Sequence, residues 1–531
     1  MASLVGRLVL ARWVDGPFMF QDEGGYLGVA RLLAGEAPAL YGPTYHPLWG
    51  VLLAPAAAVF GPGGEQNAAQ LLNALAAAAT IPVLHLVGRR ACELPPWTAA
   101  VAAIAGGLTA ASLVQAPMLL PEALLTLLVA LAVLLVHHLL QHPTAGGALA
   151  VGSATGAAYG AHPRAAVLLL ALAVVALLAW RRGLLDRRHL AALGGSALGT
   201  SAAVQVLHLW ATDRLYPAGT QPSLAGSPVG ALAEPLGSAV IALGQLWYLV
   251  VASVGVAAVG AVGAGRLAWA DPRSARGLTA TFVVLGALAS LALGTSGSYD
   301  VGVADDLTRA DLPVYGRYVE QWLPVLLVWA PTLATAWRRR AAPVAAVGLV
   351  ATALALRAHY PPATWELPVA WHNVATLRLP VDTFGDDHVV ATALAAGALA
   401  VLLVLPRRPA DLRWAVPLGT VLAVNLVAGV TLVRDWAGPS AARWHERDAV
   451  APALVAAAEE VWVDLDDHHD VSWAYHAQFL HPDLAVRYFE GTPPPAARHL
   501  LGRAGEPPAP GATPLAAEPH GDYVLWGRPP G

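Results

Sequence analysis

Long apolar stretches recur along the first 433 residues of this 531-residue chain, and they constrain its fold more than any other feature. About 20 predominantly apolar residues in a helix are needed to cross the hydrocarbon core of a bilayer. Windows of that length predict thirteen spans, at residues 3–20, 66–88, 97–115, 121–140, 147–161, 164–180, 190–210, 239–264, 278–294, 319–337, 342–357, 389–405 and 414–433. The predicted fold class is an all-α polytopic membrane bundle of about 13 transmembrane helices.

The composition agrees with a membrane protein and excludes an ordinary soluble one. Hydrophobic residues make up 56% of the chain and charged residues 12%, whereas soluble proteins carry about 25% charge. Every basic residue is an arginine, and alanine, glycine and proline are abundant, which favours a high-GC bacterial source. We therefore expect a bacterial inner-membrane protein whose partners include the lipid bilayer and no nucleic acid.

The arginines predict the orientation of the bundle. Fifteen of them fall in alternate short loops, as at 89–90, 181–182 and 338–340, against about seven in the opposite loops. Because cytoplasmic loops carry the excess of arginine, the N-terminus is predicted to be cytoplasmic and the last hundred or so residues extracytoplasmic.

Two adjacent carboxylates, Asp22 and Glu23, follow the first apolar segment. A charged side chain at the bilayer centre costs roughly 2.5 to 3.5 kcal/mol, so the pair is predicted to lie at the outer water boundary. After it come two apolar helical patches, Gly24–Leu33 and Pro47–Phe60, each too short to cross a bilayer. Both are predicted to lie along the interface as parts of the first outer loop.

This arrangement, with Gly-Gly-Tyr-Leu-Gly-Val-Ala-Arg-Leu-Leu-Ala directly after the doublet, resembles the GT-C glycosyltransferase superfamily, and within it the protein mannosyltransferases and lipid A aminoarabinose transferases. Three further segments support the resemblance: 118–122 (Met-Leu-Leu-Pro-Glu), 244–248 (Gly-Gln-Leu-Trp-Tyr) and 315–320 (Tyr-Gly-Arg-Tyr-Val-Glu). The last two resemble actinobacterial members most. The similarity covers residues 1–433, which we treat as the glycosyltransferase module.

The resemblance implies transfer of a hexose or pentose from a polyprenyl-phosphate donor to an acceptor hydroxyl on the extracytoplasmic face, with inversion. The acceptor would be a glycan, a lipid or a protein. An acceptor hydroxyl is a poor nucleophile, so a positioned carboxylate is needed to take its proton. Asp22 is the predicted base and Glu23 the second choice; repulsion between the two would raise one pKa, as a base requires. A simpler explanation is that one of them caps the following helix.

Glu122 is the third predicted catalytic residue, because the family has a second acidic residue in this outer loop. Alternatively, Glu122 after Pro121 serves only as first-turn charge at a helix N-terminus. These carboxylates together with His46 or His372 could hold a divalent metal ion. No ligand spacing in the sequence indicates one, so the metal is left unknown.

The leaving lipid phosphate requires fixed positive charge, and the planar guanidinium of arginine binds phosphate oxygens in a bidentate way. Arg317, beside Tyr318 at the predicted outer mouth of a span, is the leading donor-phosphate ligand; Arg164 and His372 are further candidates. For Arg317 the alternative is snorkelling at the interface, and for His372 it is an ordinary polar surface position.

Aromatic side chains in the outer loops are candidates for binding the sugar or the acceptor. We select Tyr26, Tyr45, His46 and Trp365. Tyrosine and tryptophan also gather at membrane interfaces without any ligand, and this explanation stays open for them.

Residues 434–531 are charged and proline-rich and predict a small extracytoplasmic α/β domain. Its predicted elements are helices 447–459 and 471–480 and strands 460–464, 484–489 and 523–526, with linkers at 491–497 and 505–517. The segment 464–470 (Asp-Leu-Asp-Asp-His-His-Asp) suggests a metal site, but a solvated loop ending in a helix N-cap explains it as well.

Two other function classes remain in competition with the transferase. A polymerase or ligase of lipid-linked oligosaccharides would depend on arginines in a late outer loop and not on the first-loop acids. A transporter would show ionisable residues at mid-span or an internal repeat, and the central parts of the predicted spans are almost free of ionisable groups.

Overall fold

The computed structural model describes residues 1–14, 16, 21–35, 46–215, 235–302, 311–333, 335–359, 371–385, 389–394, 396–397, 412–446, 460–464, 484–489, 491–505, 507–517 and 523–529. Some predictions lie outside these residues. They concern Tyr45, Trp365, the domain helices 447–459 and 471–480, and the acidic segment beyond Asp464.

The described part of residues 1–446 is a helical bundle around one continuous apolar core. Its α-helices are α1 Ala2–Ala11, α2 Gln21–Ala34, α3 Leu48–Gly61, α4 Gly64–Arg90, α5 Pro96–Gly107, α6 Ala110–Val114, α7 Glu122–Gln141, α8 Ala145–Ala161, α9 Ala166–Arg181, α10 Arg187–Leu215, α11 Pro235–Ala252, α12 Val256–Ala270, α13 Ala275–Gly302, α14 Leu323–Trp329, α15 Thr335–His359, α16 Arg378–Phe384, α17 Leu412–Leu432 and α18 Gly438–Glu446. In this part of the chain seven helices are long and apolar enough to cross a membrane. The helical membrane fold is confirmed; the predicted count of thirteen spans is not.

Several predicted spans are not single helices. The stretch 97–115 breaks between α5 and α6, and 239–264 breaks between α11 and α12, where Val254 and Gly255 have φ of 51° and 83°. In the second break the hydroxyl of Ser253 accepts the N–H of Ala257, 3.0 Å away, which satisfies a helix-terminal donor. In place of 319–337 there are short 3₁₀ turns and the seven-residue α14. Hydropathy does not register such breaks, because the residues that make them are themselves apolar or small.

The first loop contains two helices, as predicted, with different limits. α2 begins at Gln21, so Asp22 and Glu23 lie inside its first turn and not before the helix. α3 ends at Gly61, whose φ of 66° is accessible to glycine and strained for other residues, and α4 follows almost at once. Arg31 of α2 forms a buried ion pair with Glu65 of α4, Nη2 to Oε2 2.9 Å, which fixes α2 against α4.

α8 and α10 pack closely through glycines spaced four residues apart, Gly152, Gly156 and Gly160. A Cβ atom on Gly152 would lie 2.4 Å from the carbonyl oxygen of Leu193, so only glycine permits this approach of the two backbones. Tyr159 lies near the end of α8 and His208 near the end of α10. The close packing brings these two helix ends next to α2 and α3.

The C-terminal region contains a five-stranded sheet in the order β2-β1-β3-β5-β4, formed by β1 Glu460–Asp464, β2 Ala485–Phe489, β3 His499–Arg503, β4 Thr513–Ala517 and β5 Tyr523–Gly527. β1 pairs in parallel with β2 and β3, and β5 pairs antiparallel with β3 and β4. The three predicted strands are confirmed. The prediction of a linker over 505–517 is wrong, because β4 lies within it; as an edge strand, β4 tolerates Pro514 and lacks an alternating apolar pattern.

Candidate active site

A buried cluster of charges forms where the N-termini of α2 and α7 meet. Arg317 donates from Nη1 to Oδ2 of Asp22, 2.5 Å away, and from Nε to Oε1 of Glu122, 2.6 Å away. Arg164 approaches the same Glu122 oxygen with Nη2 at 3.3 Å. Two predicted catalytic carboxylates and two predicted phosphate-binding arginines therefore lie in direct contact, although the sequence places them up to 295 residues apart.

Glu23 contacts the backbone of the loop before α7. Its Oε1 accepts the N–H of Leu119 at 2.9 Å, and the carbonyl of Leu119 accepts from the indole of Trp49 at 2.8 Å. The carboxylates of the doublet thus have different partners, and the cation beside Asp22 offsets the mutual repulsion expected from sequence. Glu23 is fully buried, which suits a positioning group better than a base that must reach a substrate.

Exposure distinguishes the members of the cluster. The side chain of Asp22 is 22% exposed, against 3% for Glu122, 4% for Arg164 and 6% for Arg317. A molecule that approaches the cluster therefore meets Asp22 first, with Arg317 directly behind it.

The loop 115–121, which leads into Glu122, is held by amide side chains along one face of α4. Asn73 donates to the carbonyls of Met118 and Leu120, at 2.8 and 3.0 Å. One and two turns earlier on α4, Gln70 and Gln66 donate to backbone carbonyls of residues 14 and 16. The helix spacing places all three amides on one face, so α4 supports both the chain that leads into α2 and the loop before α7.

Sequence reasoning missed Glu320, which lies one 3₁₀ turn after Arg317. Its Oε1 accepts from the hydroxyl of Tyr248, and its Oε2 accepts from Nε2 of Gln115 at 3.2 Å. Glu320 thus joins the Arg317 turn to α11 and to the loop 115–121. A signal was present, since Glu320 falls inside a predicted span and an ionisable residue in a span indicates function by default.

Histidines and tyrosines line the side of the cluster next to α8 and α10. His46 stacks on His208 with ring centroids 4.9 Å apart and meets Tyr159 edge-on at 4.2 Å. Burial, and secondly His208, lowers the pKa of His46 to about 3, so its imidazole is neutral. His162 is likewise neutral, because burial followed by the charge of Arg164 holds its pKa well below the usual value; its Nδ1 accepts the N–H of Arg164 at 3.2 Å.

The remaining predicted residues lie around this cluster. Tyr26, one turn after Asp22 on α2, is fully buried, and its hydroxyl donates to the carbonyl of Ala161 at 3.4 Å. Burial raises the pKa of Tyr26, with a further contribution from Glu122. Tyr318 packs against Tyr315 with ring centroids 5.4 Å apart. His372 stacks over Trp436 at 6.1 Å, on a turn that lies against the Arg317 turn.

The described residues do not assemble the metal site considered from sequence. None of their histidine, cysteine and acidic side chains form a group of three or more that could hold an ion. Glu122 is instead engaged by two guanidinium groups, and His46 and His372 stack on other rings. In the described part of the chain these side chains therefore contact one another and are not arranged around an ion.

Comparison with known proteins identifies the fold. No family model and no curated protein matches the sequence. Among solved structures, ArnT from Cupriavidus metallidurans bound to undecaprenyl phosphate matches 99% of this chain and 97% of its own, with a TM-score of 0.53 at 16% identity. The apo state of the same protein gives a TM-score of 0.52 at 17% identity, over the same shares of the two chains. The oligosaccharyltransferase of Archaeoglobus fulgidus in the apo form gives a TM-score of 0.43 at 11% identity, over 95% of this chain and 69% of the archaeal one. The chain therefore has the fold of ArnT, over the 99% of its length that this match covers.

Proposed function

We propose that this protein is a membrane glycosyltransferase that moves a sugar from a polyprenyl-phosphate donor to an acceptor hydroxyl, with inversion. The observation that carries the proposal is the contact of Arg317 with both Asp22 and Glu122, partly open on the Asp22 side. The ArnT fold supports it, since one ArnT structure contains undecaprenyl phosphate, the kind of lipid that such a donor would leave behind.

Asp22 acts as the general base. Its carboxylate is the most exposed of the cluster, so an acceptor hydroxyl can reach it. Proton removal as the new glycosidic bond forms contributes typically 10² to 10⁴ in rate. Glu23 and Glu122 are positioning groups in this scheme, the first through the Leu119 backbone and the second through the two arginines.

Arg317 and Arg164 hold the donor phosphate. A guanidinium stays charged at any working pH and offers several N–H donors in a plane, which matches the oxygens of a phosphate. Both arginines contact the one Glu122 oxygen, so this carboxylate keeps two cations together where a phosphate needs them. Tyr318 and His372, on adjacent turns, complete the proposed phosphate side of the site.

The sugar and acceptor side comprises Tyr26, His46 and the predicted residues Tyr45 and Trp365 of the outer loops. The neutral His46 suits hydrogen bonding to sugar hydroxyls more than binding of a charged group. The active site faces the extracytoplasmic side of a bacterial inner membrane, with the N-terminus in the cytoplasm and residues 434–531 outside as a separate domain. The arginine distribution along the chain supports this orientation.

A transfer assay tests the proposal. Purified full-length protein is incubated with a panel of radiolabelled polyprenyl-phosphate sugars and envelope extracts, and wild type is compared with Asp22→Asn. We expect the variant to lose at least about 100-fold in rate, because the amide cannot accept the proton. Equal transfer by both proteins would refute Asp22 as the base and favour the polymerase or ligase alternative, which does not depend on this residue.

A further inference from the structure

Asp22 and a donor phosphate held by Arg317 would share one guanidinium group. In the structure Nη1 of Arg317 donates to Asp22 and Nε to Glu122, so a phosphate that approaches from the exposed Asp22 side would lie beside Asp22 and compete with it for the guanidinium. Glu122 is buried and contacted by Arg164 as well, whereas Asp22 is 22% exposed. The Asp22 contact is therefore the one that a ligand can displace.

We propose that ionised Asp22 competes with the lipid phosphate for Arg317, and that protonation of Asp22 during transfer releases Arg317 to the leaving phosphate. This inference rests on the proposed function and specifies how proton removal by Asp22 is coupled to phosphate binding by Arg317. It makes Asp22 a determinant of phosphate affinity in addition to its role as the base.

The balance of charge in the reaction supports the coupling. The acceptor oxygen forms a bond to the anomeric carbon as the bond from that carbon to the phosphate oxygen breaks. The electron pair of the broken bond stays on the phosphate, which changes from a diester to a monoester and gains one negative charge. The acceptor proton goes to the carboxylate of Asp22, which loses one negative charge. The total negative charge beside Arg317 is thus the same before and after the step, and it shifts from Asp22 to the phosphate.

While Asp22 is ionised, the site is expected to bind the lipid phosphate product weakly. With Asp22 ionised, a polyprenyl phosphate monoester must bind beside a carboxylate that repels it and that occupies part of Arg317. In a partly buried site such repulsion is large compared with its value in water. The product is therefore bound tightly only while Asp22 carries the proton, and loss of that proton favours its release.

Direct binding of undecaprenyl phosphate to the purified full-length protein tests the competition, independently of transfer. We expect Asp22→Asn to tighten the dissociation constant by about tenfold, equivalent to about 1.4 kcal/mol, while abolishing transfer. Asp22→Ala, which removes the charge without adding an amide donor, should tighten it as well. Glu93→Gln is the matched control: it removes the charge of a carboxylate that also pairs with an arginine, Arg276, at an exposed position outside the cluster, and should change binding by less than about threefold.

Two further variants separate failure of the competition from failure of the proposed function. Arg317→Gln should weaken binding, and in the double variant Asp22→Asn/Arg317→Gln the gain should disappear. If both Asp22 variants bind the lipid no better than wild type while Arg317→Gln binds worse, the competition is refuted and the phosphate site stands. If Arg317→Gln binds as well as wild type, both the competition and the proposed phosphate site are refuted.

Discussion

Arg317 is the buried charge at the centre of the site. It is buried and contacts two carboxylates, one of which also contacts Arg164. Removing charges from water costs several kcal/mol per ion, and buried ion pairs often contribute little net stability. The cluster is therefore better explained by a requirement for charge at this place than by a requirement for stability.

The two arginines differ in what they contact, which gives a prediction for conservative variants. Arg317→Lys should lower kcat/KM for the lipid-linked donor by about 100-fold, because a single ammonium cannot reproduce the two contacts made by Nη1 and Nε. Arg164→Lys, at a site with one contact of 3.3 Å to Glu122, should lower it by about tenfold or less. Steady-state kinetics with one donor would measure both, and a larger effect at Arg164 would contradict this ranking.

Local sequence was enough to predict several residues of the cluster as site residues. It was not enough to predict which of them contact each other. Asp22 and Glu122 stand at the starts of helices, and Arg317 stands in a predicted outer loop; each position carries a signal of its own. Glu23 had the same signal as Asp22 but serves the Leu119 backbone. Which of two adjacent carboxylates meets an arginine depends on helix rotation, and that is fixed by packing across the bundle.

At the scale of elements, the proposed site lies at two helix N-termini. α2 and α7 both place acidic residues in their first turns, where they interact favourably with the helix dipole by about 0.3 to 1 kcal/mol. The first-turn position considered for Glu122 is confirmed, whereas Asp22 lies inside its helix and does not precede it as a cap; both also contact Arg317. The two helices meet because α4 supports the chain before each of them through Gln66, Gln70 and Asn73.

The glycine packing between α8 and α10 should be sensitive to a single methyl group. In Gly152→Ala the new Cβ would lie 2.1 Å from Oγ of Ser196 and 2.4 Å from the carbonyl oxygen of Leu193. Overpacking of this kind costs about 1–3 kcal/mol, which exceeds the roughly 1 kcal/mol by which alanine favours a helix over glycine. Thermal unfolding in detergent, followed by tryptophan fluorescence, should show a lower midpoint.

Gly199→Ala on α10 is the matched control for that prediction. No atom lies within 4 Å of its added Cβ, so only the gain in helix propensity applies. Its midpoint should stay the same or rise. A midpoint for Gly152→Ala that equals or exceeds that of Gly199→Ala would contradict the close packing of the two helices.

At the scale of the whole molecule, the proposed orientation can be measured by cysteine labelling. The single native cysteine, Cys92, is buried, which gives a low background. Leu515→Cys, at an exposed position in β4, should react with a membrane-impermeant maleimide in intact cells. Gln141→Cys, at the exposed end of α7 opposite Glu122, should react only after the cells are permeabilised. The reverse pattern would place the site in the cytoplasm and refute the extracytoplasmic assignment.

Hydropathy predicts some helices of the bundle closely and misses the breaks in others. Spans such as 66–88, 121–140 and 164–180 correspond closely to the helices Gly64–Arg90, Glu122–Gln141 and Pro163–Arg181. The stretches 97–115, 239–264 and 319–337 correspond to broken helices or short turns instead. The last of these carries Glu320, so the region where hydropathy predicted a plain span is the one that supports the charge cluster.

The sequence by itself determined that the chain is a helical membrane protein, because apolar content and the length of apolar stretches are properties of each segment alone. It also determined which charged residues stand at helix starts. Only the tertiary structure decided that Arg317 lies between Asp22 and Glu122, that Glu23 holds Leu119, and that β4 joins the sheet. These outcomes depend on the packing of segments up to 295 residues apart, and no local pattern encodes the rotation and depth at which such segments meet.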